Sequence, residues 1–362
     1  MIEALYIHIP FCRHICAYCD FAKVMTGSFS HEKYLNVLLS EIEDLKIPDD
    51  SLKTIYIGGG TPSELSYEEL DMLLSYLHSH FPSVEEFTME CNPESLNEEK
   101  VSLMKETGIN RVSLGVQTRD ESILRILNRS HNNFDVDRAL SLLKEKGIDN
   151  INLDFIYGLP SSSSKTLEED LEYVKNSGCK HVSFYSLQIE EGTLLYNQNY
   201  QGLSEDEYRE QYDFIKERLK EMGYLRYEVS NFSLPGYESK HNLTYWHDLQ
   251  YYAAGLGAAS YIGKERRINT KSMTSYLKKE FHPKLDILTP EDEEMEYLML
   301  NLRLVSGFSL QEYENRFQKD FLSSYQTQIK KVQDYVQVKN GYFSLKEEYI
   351  YTMDSILLDL IS

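Results

Sequence analysis

Between residue 3 and about residue 190 the chain repeats one local pattern, a short β-rich run followed by an amphipathic helical segment, several of which end in glycine. The β-rich runs are "ALYIHI", "TIYIGG", "EFTMEC", "RVSLGV", "NINLDFIYG" and "HVSFYSLQ". Between them lie helical stretches such as "HEKYLNVLLSEIEDL", "SYEELDMLLSYLHSHF" and "DVDRALSLLKEKG". Strands that alternate with helices pair in parallel, because each helix carries the chain back to the same end of the sheet. Six such units fall short of the eight that close a full barrel. The pattern therefore predicts an α/β fold, a partial (β/α)6 barrel of the TIM type. In such barrels chemistry gathers at the C-terminal ends of the strands. That rule brings five unusual stretches to one mouth: the cysteine loop, "GGGTP", "MECNP", "GVQ" and "LDFIYGLP".

After the long helical stretch "SEDEYREQYDFIKERLKEMG" the pattern changes. A strand, "YLRYEVSNF", is followed by "KHNLTYWHD" and the small-residue stretch "YAAGLGAASYIG"; from about residue 270 the segments are mostly helical, with a short "GYFSL" strand. The expected division is a barrel over residues 1–230, a junction segment over 231–268 and a small helical, winged-helix-like domain over 269–362. The 37 basic and 58 acidic side chains give a net charge of −21, which repels phosphate backbones and excludes nucleic acid as a main partner. No run of about 18 apolar residues exists to span a membrane. The N-terminal "MIEALYIHIP" reads as a strand rather than a signal peptide, which places the chain in the cytoplasm, where thiols stay reduced.

Three of the five cysteines, Cys12, Cys16 and Cys19, fall in the stretch "FCRHICAYCDF" with the spacing C-x3-C-x2-C. Thiols clustered in a reducing compartment bind metal more often than they pair. Zinc, with His8 or His14 as a fourth ligand, a redox disulfide and an iron–sulfur cluster are the candidate chemistries. Cys91 and Cys179 are isolated and read as core thiols.

The C-x3-C-x2-C spacing after a first strand, together with Gly58-Gly59-Gly60-Thr61-Pro62 after the second, resembles the radical S-adenosylmethionine (SAM) superfamily. The resemblance implies a [4Fe–4S] cluster held by Cys12, Cys16 and Cys19, with SAM completing the fourth iron. It places the bare backbone of Gly59 and Gly60, with Thr61, against the methionine end of SAM, where a side chain would block close approach. Glu90, Gln117, Arg129 and Asp154 stand at further matching positions, Arg129 suiting a carboxylate through its guanidinium fork. Tyr6 and Tyr18 are candidates to pack near the cluster and the adenine.

"YIHIPFC", "CDF", "GGGTP", "SLGVQ", "LNRSH" and "DFIYGLP" together resemble the oxygen-independent coproporphyrinogen III oxidase family over nearly the whole chain. That family has an oxidase branch, which decarboxylates coproporphyrinogen, and a haem-chaperone branch. Phe21 stands where the oxidase pattern has a fourth cysteine, and Cys12 lies closer to the initiator than in that branch. The stretch His241-Asn242-Leu243-Thr244-Tyr245-Trp246 matches an H-N-x-x-Y-W signature of the chaperone branch. The resemblance thus implies haem as a ligand and haem-accepting proteins, such as respiratory enzymes, as partners. His241 is expected as an axial iron ligand with His247 competing, and Asn242, Tyr245 and Trp246 are expected to flank the macrocycle; the alternative is that this stretch, near the domain junction, lines the SAM site.

Overall fold

The computed structural model describes residues 1–361, and the six predicted runs are neighbours in a single sheet. They are β1 (Ala4–Ile9), β2 (Thr54–Gly59), β3 (Glu86–Cys91), β4 (Arg111–Gln117), β5 (Asn150–Tyr157) and β6 (His181–Ser186), paired in parallel in that order. The chain past residue 220 adds three more strands: β7 (Leu225–Arg226), β8 (Asn231–Ser233) and β9 (Tyr252–Ala254). β9 extends the parallel sheet beside β1, while β8 and then β7 close the other edge in antiparallel pairing.

Side chains alternate across this sheet up to a register shift between Gly115 and Gln117, as a pleat with period two requires. Leu5, Ile7, Ile55, Ile57, Val112 and Leu114 lie on one face, all fully buried in the main core. The helices α1 (His31–Asp44), α2 (Tyr67–His80), α3 (Glu98–Glu106), α4 (Asn133–Glu145), α5 (Ser164–Ser177) and α6 (Glu205–Glu221) return the chain between strands, and their buried leucines and valines join the same core. The opposite face carries Tyr6, His8, Tyr56, Glu90, Ser113, Asp154 and Ser183, on equivalent registers of β1 to β6. The barrel is therefore apolar outward and polar inward.

Local chemistry starts these helices where the sequence places them. Ser66 with Glu69, Asn132 with Asp135, Ser163 with Thr166 and Ser204 with Glu207 form reciprocal capping boxes at α2, α4, α5 and α6. Gly178 ends α5 in the left-handed region at φ 66°.

The region after residue 223 departs from the expected pattern. "YLRYEVSNF" is not one strand, because the Glu228 carboxylate turns inward and accepts hydrogen bonds from Ser230 N and Asn231 Nδ2 (2.8 and 2.6 Å), folding the chain between β7 and β8. Lys240–Trp246 forms a short helix, α7, capped by Ser239. An antiparallel sheet follows, of β10 (Ala259–Ile262), β11 (Glu265–Ile268) and β12 (Lys284–Ile287). All four residues of β12 are exposed, so no alternation marked it within a region read as mostly helical. Beyond it, α8 (Pro290–Asn301) and four further α-helices of the C-terminal region surround a small sheet of β13 (Phe308–Ser309), β14 (Val336–Lys339) and β15 (Tyr342–Leu345). Phe308, Tyr313, Phe321 and Phe343 pack together at its centre. Among the described residues no helix is long and apolar enough to cross a membrane.

Candidate active site

The cysteine loop is held at its ends and at its middle. Phe11–Cys12 pairs with Val24–Met25, and Thr26 N donates to Cys12 O at 2.9 Å. Ala17, fully buried, donates its N–H to Leu127 O and accepts from Leu195 N, both at 2.9 Å. Asn128 Nδ2 donates to Ile15 O and Lys23 Nζ to Cys19 O. These bonds leave the three thiols facing one cavity of about 580 Å³ at the C-terminal ends of the strands. Burial pushes the Cys12 thiol up to about 11 and raises that of Cys19. Metal coordination removes such protons outright.

Every residue expected to serve the cluster or SAM lines this cavity, apart from Tyr6. The glycine run owes its composition to the protein itself as well as to any ligand. A Cβ on Gly58 would stand 2.8 Å from Glu90 Cδ, one on Gly60 2.7 Å from the Pro10 carbonyl carbon, and one on Gly59 2.3 Å from the His8 ring. Gly59 also has φ +112°, a region closed to side-chain-bearing residues. Its N–H donates to Glu90 Oε2 at 3.0 Å, and Tyr56 Oη donates to Glu90 Oε1 at 2.8 Å. Burial, with the Asp154 charge adding to it, raises the Glu90 carboxyl to about 7. Asp154 accepts from Ser113 Oγ and Asn152 Nδ2, and burial raises its pKa too.

Gln117 closes β4 at φ +67°, next to a register shift in the strand, a conformation costing about 1 kcal/mol or more that the surrounding fold must enforce. Arg129 donates from Nη1 to Cys16 Sγ at 3.4 Å and from Nη2 to Asn92 Oδ1 and Gly115 O; its buried Nε has no partner among the described residues. Tyr18 packs against the apolar cluster around Ala17, Leu127 and Leu195, with its pKa raised by burial and then by Cys16. Tyr6 lies deeper in the barrel: its hydroxyl bonds His8 Nδ1, and its ring stacks on Tyr56 at 6.2 Å.

Sequence reading missed Tyr56, Ser113, Tyr185, Ser186, Gln188 and Ser230 on the cavity wall. Ser113 was within reach, since it sits two residues from Gly115 on its strand, whereas Tyr56 stands between two isoleucines.

The H-N-x-x-Y-W segment does not join the cavity. It closes the opposite end of the barrel, where Glu86, the first residue of β3, accepts from the backbone N–H groups of Lys240 and His241, each at 2.9 Å. His241 is fully buried, with Nδ1 bonded to Thr54 Oγ1 at 2.9 Å and Nε2 to Tyr245 Oη at 2.7 Å. Both ring nitrogens are taken and no surface is left, so the expected role of axial iron ligand does not fit this arrangement. Asn242 donates its N–H to the Ser239 cap, and Trp246 lies under the Arg303 guanidinium at 4.5 Å. His247, the competing candidate, is exposed on the outer side.

Comparison with known proteins places this geometry in a family. The model of the radical SAM superfamily matches residues 6–184, and that of the HemN C-terminal domain matches residues 288–352. The chain is 39% identical to the haem chaperone HemW of Lactococcus lactis over 90% of its own length and 88% of that protein's. It is 38% identical to the haem chaperone HemW of Bacillus subtilis, covering 87% of each. The chain belongs to the HemW family. Among solved structures, coproporphyrinogen III oxidase (HemN) from Escherichia coli, described as a radical SAM enzyme, superposes with a TM-score of 0.86 at 20% identity. The match covers all of this chain and 90% of HemN, and it shows that the barrel with its C-terminal helical region is the HemN fold. Membership of this HemW branch of radical SAM proteins implies a [4Fe–4S] cluster and SAM. The residues present fit them: three thiols on one pinned loop face a cavity whose wall carries the buried carboxylates Glu90 and Asp154 and an arginine nitrogen unpartnered among the described residues.

Proposed function

We propose that the protein binds haem and delivers it to haem-accepting proteins, respiratory enzymes among them, in a reducing cytoplasm. The observation that carries this reading is the similarity to curated haem chaperones over nearly the full chain, at 39% identity in the first case. Cys12, Cys16 and Cys19 hold the [4Fe–4S] cluster, and the cluster supplies an open iron site for SAM and an electron. Gly59 and Glu90 orient the methionine end of SAM, Arg129 and Gln117 take its polar groups, and Asp154 with Tyr18 frames the rest. Arg129 also donates a hydrogen bond to one of the cluster thiolates. Phe21, 64% exposed on the rim, stands where the oxidase branch has a cysteine and presents an apolar face instead. The chaperone reading is therefore preferred to coproporphyrinogen decarboxylation.

The test is an anaerobic haem titration of cluster-reconstituted protein, followed at the Soret band, with transfer to a haem-depleted respiratory enzyme. Saturable one-to-one binding and transfer are expected of the wild type, and transfer should be lost in the Cys12/Cys16/Cys19 triple alanine variant. Wild-type protein that converts coproporphyrinogen III instead, or that binds haem without saturation, would reverse the assignment.

A further inference from the structure

The H-N-x-x-Y-W helix reaches the cavity wall through His241, which packs on the ring of Tyr56, a residue of that wall. We infer that His241 is a positioning residue for the SAM subsite: from the closed end of the barrel it braces the Tyr56 ring, whose hydroxyl holds Glu90. The inference rests on the reading of the cavity as a SAM site.

Thr54 and Tyr56 both point inward from β2, two residues apart. His241 engages both. Its Nδ1 bonds the Thr54 hydroxyl at 2.9 Å, and its ring lies against that of Tyr56 with centroids 5.2 Å apart and planes 28° from parallel. The imidazole cannot swing away, because Tyr245 Oη holds Nε2 and the Glu86 carboxylate holds the backbone N–H. Tyr56 also meets Tyr6, which is itself tied to His8, whose Nε2 bonds Ala22 O just past the cysteine loop. Tyr56 thus packs against two rings that are themselves hydrogen-bonded, and its hydroxyl reaches Glu90 at 2.8 Å. Preorganisation of this kind raises affinity by removing the cost of ordering the site on binding.

His241 serves as a neutral spacer here. Burial, and next the nearby Arg111 charge, lower its pKa to about 3, so it brings no charge to the cavity. Its action is steric and directional, which explains why a histidine inaccessible to any ligand sits among chemistry-bearing residues. The neighbouring Tyr245 and Trp246 then act as the scaffold of that spacer: Tyr245 as the hydrogen-bond partner, Trp246 as the anchor beneath Arg303.

The experiment measures SAM affinity by equilibrium dialysis and haem affinity by Soret titration on the same cluster-reconstituted, full-length preparations. His241→Ala should weaken SAM binding about tenfold and leave haem affinity within about twofold. Tyr56→Phe should weaken SAM binding by itself, and adding His241→Ala to it should bring less than a further twofold loss, because both act through one hydroxyl. Thr54→Val, which keeps side-chain volume and removes only the bond to Nδ1, gives a second route if His241→Ala does not fold; a SAM-specific loss of about threefold is expected. Losses that simply multiply in the double variant, or a fall in haem affinity with SAM affinity intact, overturn the positioning role. Wild-type binding of SAM with unaltered variants overturns it while sparing the SAM reading, whereas wild-type protein that binds no SAM overturns both.

Discussion

Glu90 shows how the cavity couples proton and structure at the scale of one residue. Its carboxyl ionises near 7 in the folded protein against 4.5 for the ordinary side chain. Charging it in the interior costs free energy that the unfolded chain does not spend. The stability it contributes is fully present below pH 4.5 and is lost as pH rises through about 7. Glu90→Gln stays neutral throughout, so its denaturation midpoint should change less between pH 5 and pH 8 than that of the wild type; parallel curves would argue against this burial. The three cysteines at the other wall were legible from sequence alone, because ligand spacing on one loop is a local property. Tyr56 was not, because an aromatic between isoleucines in "TIYIGG" looks like a core side chain until the face of its strand is known.

The elements that shape the site are strand ends whose backbone has been made unusual. At the end of β2 a substitution Gly59→Ala would combine a left-handed φ with a Cβ 2.3 Å from the His8 ring. The expected cost is about 2 kcal/mol or more, read as a lower urea midpoint, with weakened SAM binding alongside. A variant as stable as the wild type would mean that β1 and β2 can separate at this point. The six parallel strands were readable because each is long enough to show its period and is bounded by capped helices. β12 was not, since a fully exposed edge strand has no apolar face to display. The bend at Glu228 was hidden for another reason: its cause is a buried carboxylate bonding its own turn, which no periodicity reports.

At the scale of the whole molecule, the C-terminal region is fastened to the barrel through charges centred on Asp248. Its side chain is fully buried and receives Arg266 Nη2 at 2.9 Å and Arg316 Nη2 at 2.7 Å. Arg266 also pairs with Glu296 on α8. Removing the buried Asp248 carboxylate takes the shared acceptor from two partly exposed arginines, so Asp248→Ala should cost about 2 kcal/mol. The same variant should expose residues beyond 290 to limited proteolysis before the barrel is cut. Simultaneous digestion of both regions would show instead that they unfold as one unit.

The pinned cysteine loop has a consequence for the loss of a cysteine. Ala17 is tied to two separate segments and Cys12 to a short strand pair, all by the chain's own backbone. The loop's path is therefore fixed at points other than the thiols. Replacing one thiol would cost the iron a ligand while leaving those backbone ties in place, so the loss would read as an iron defect rather than a folding defect.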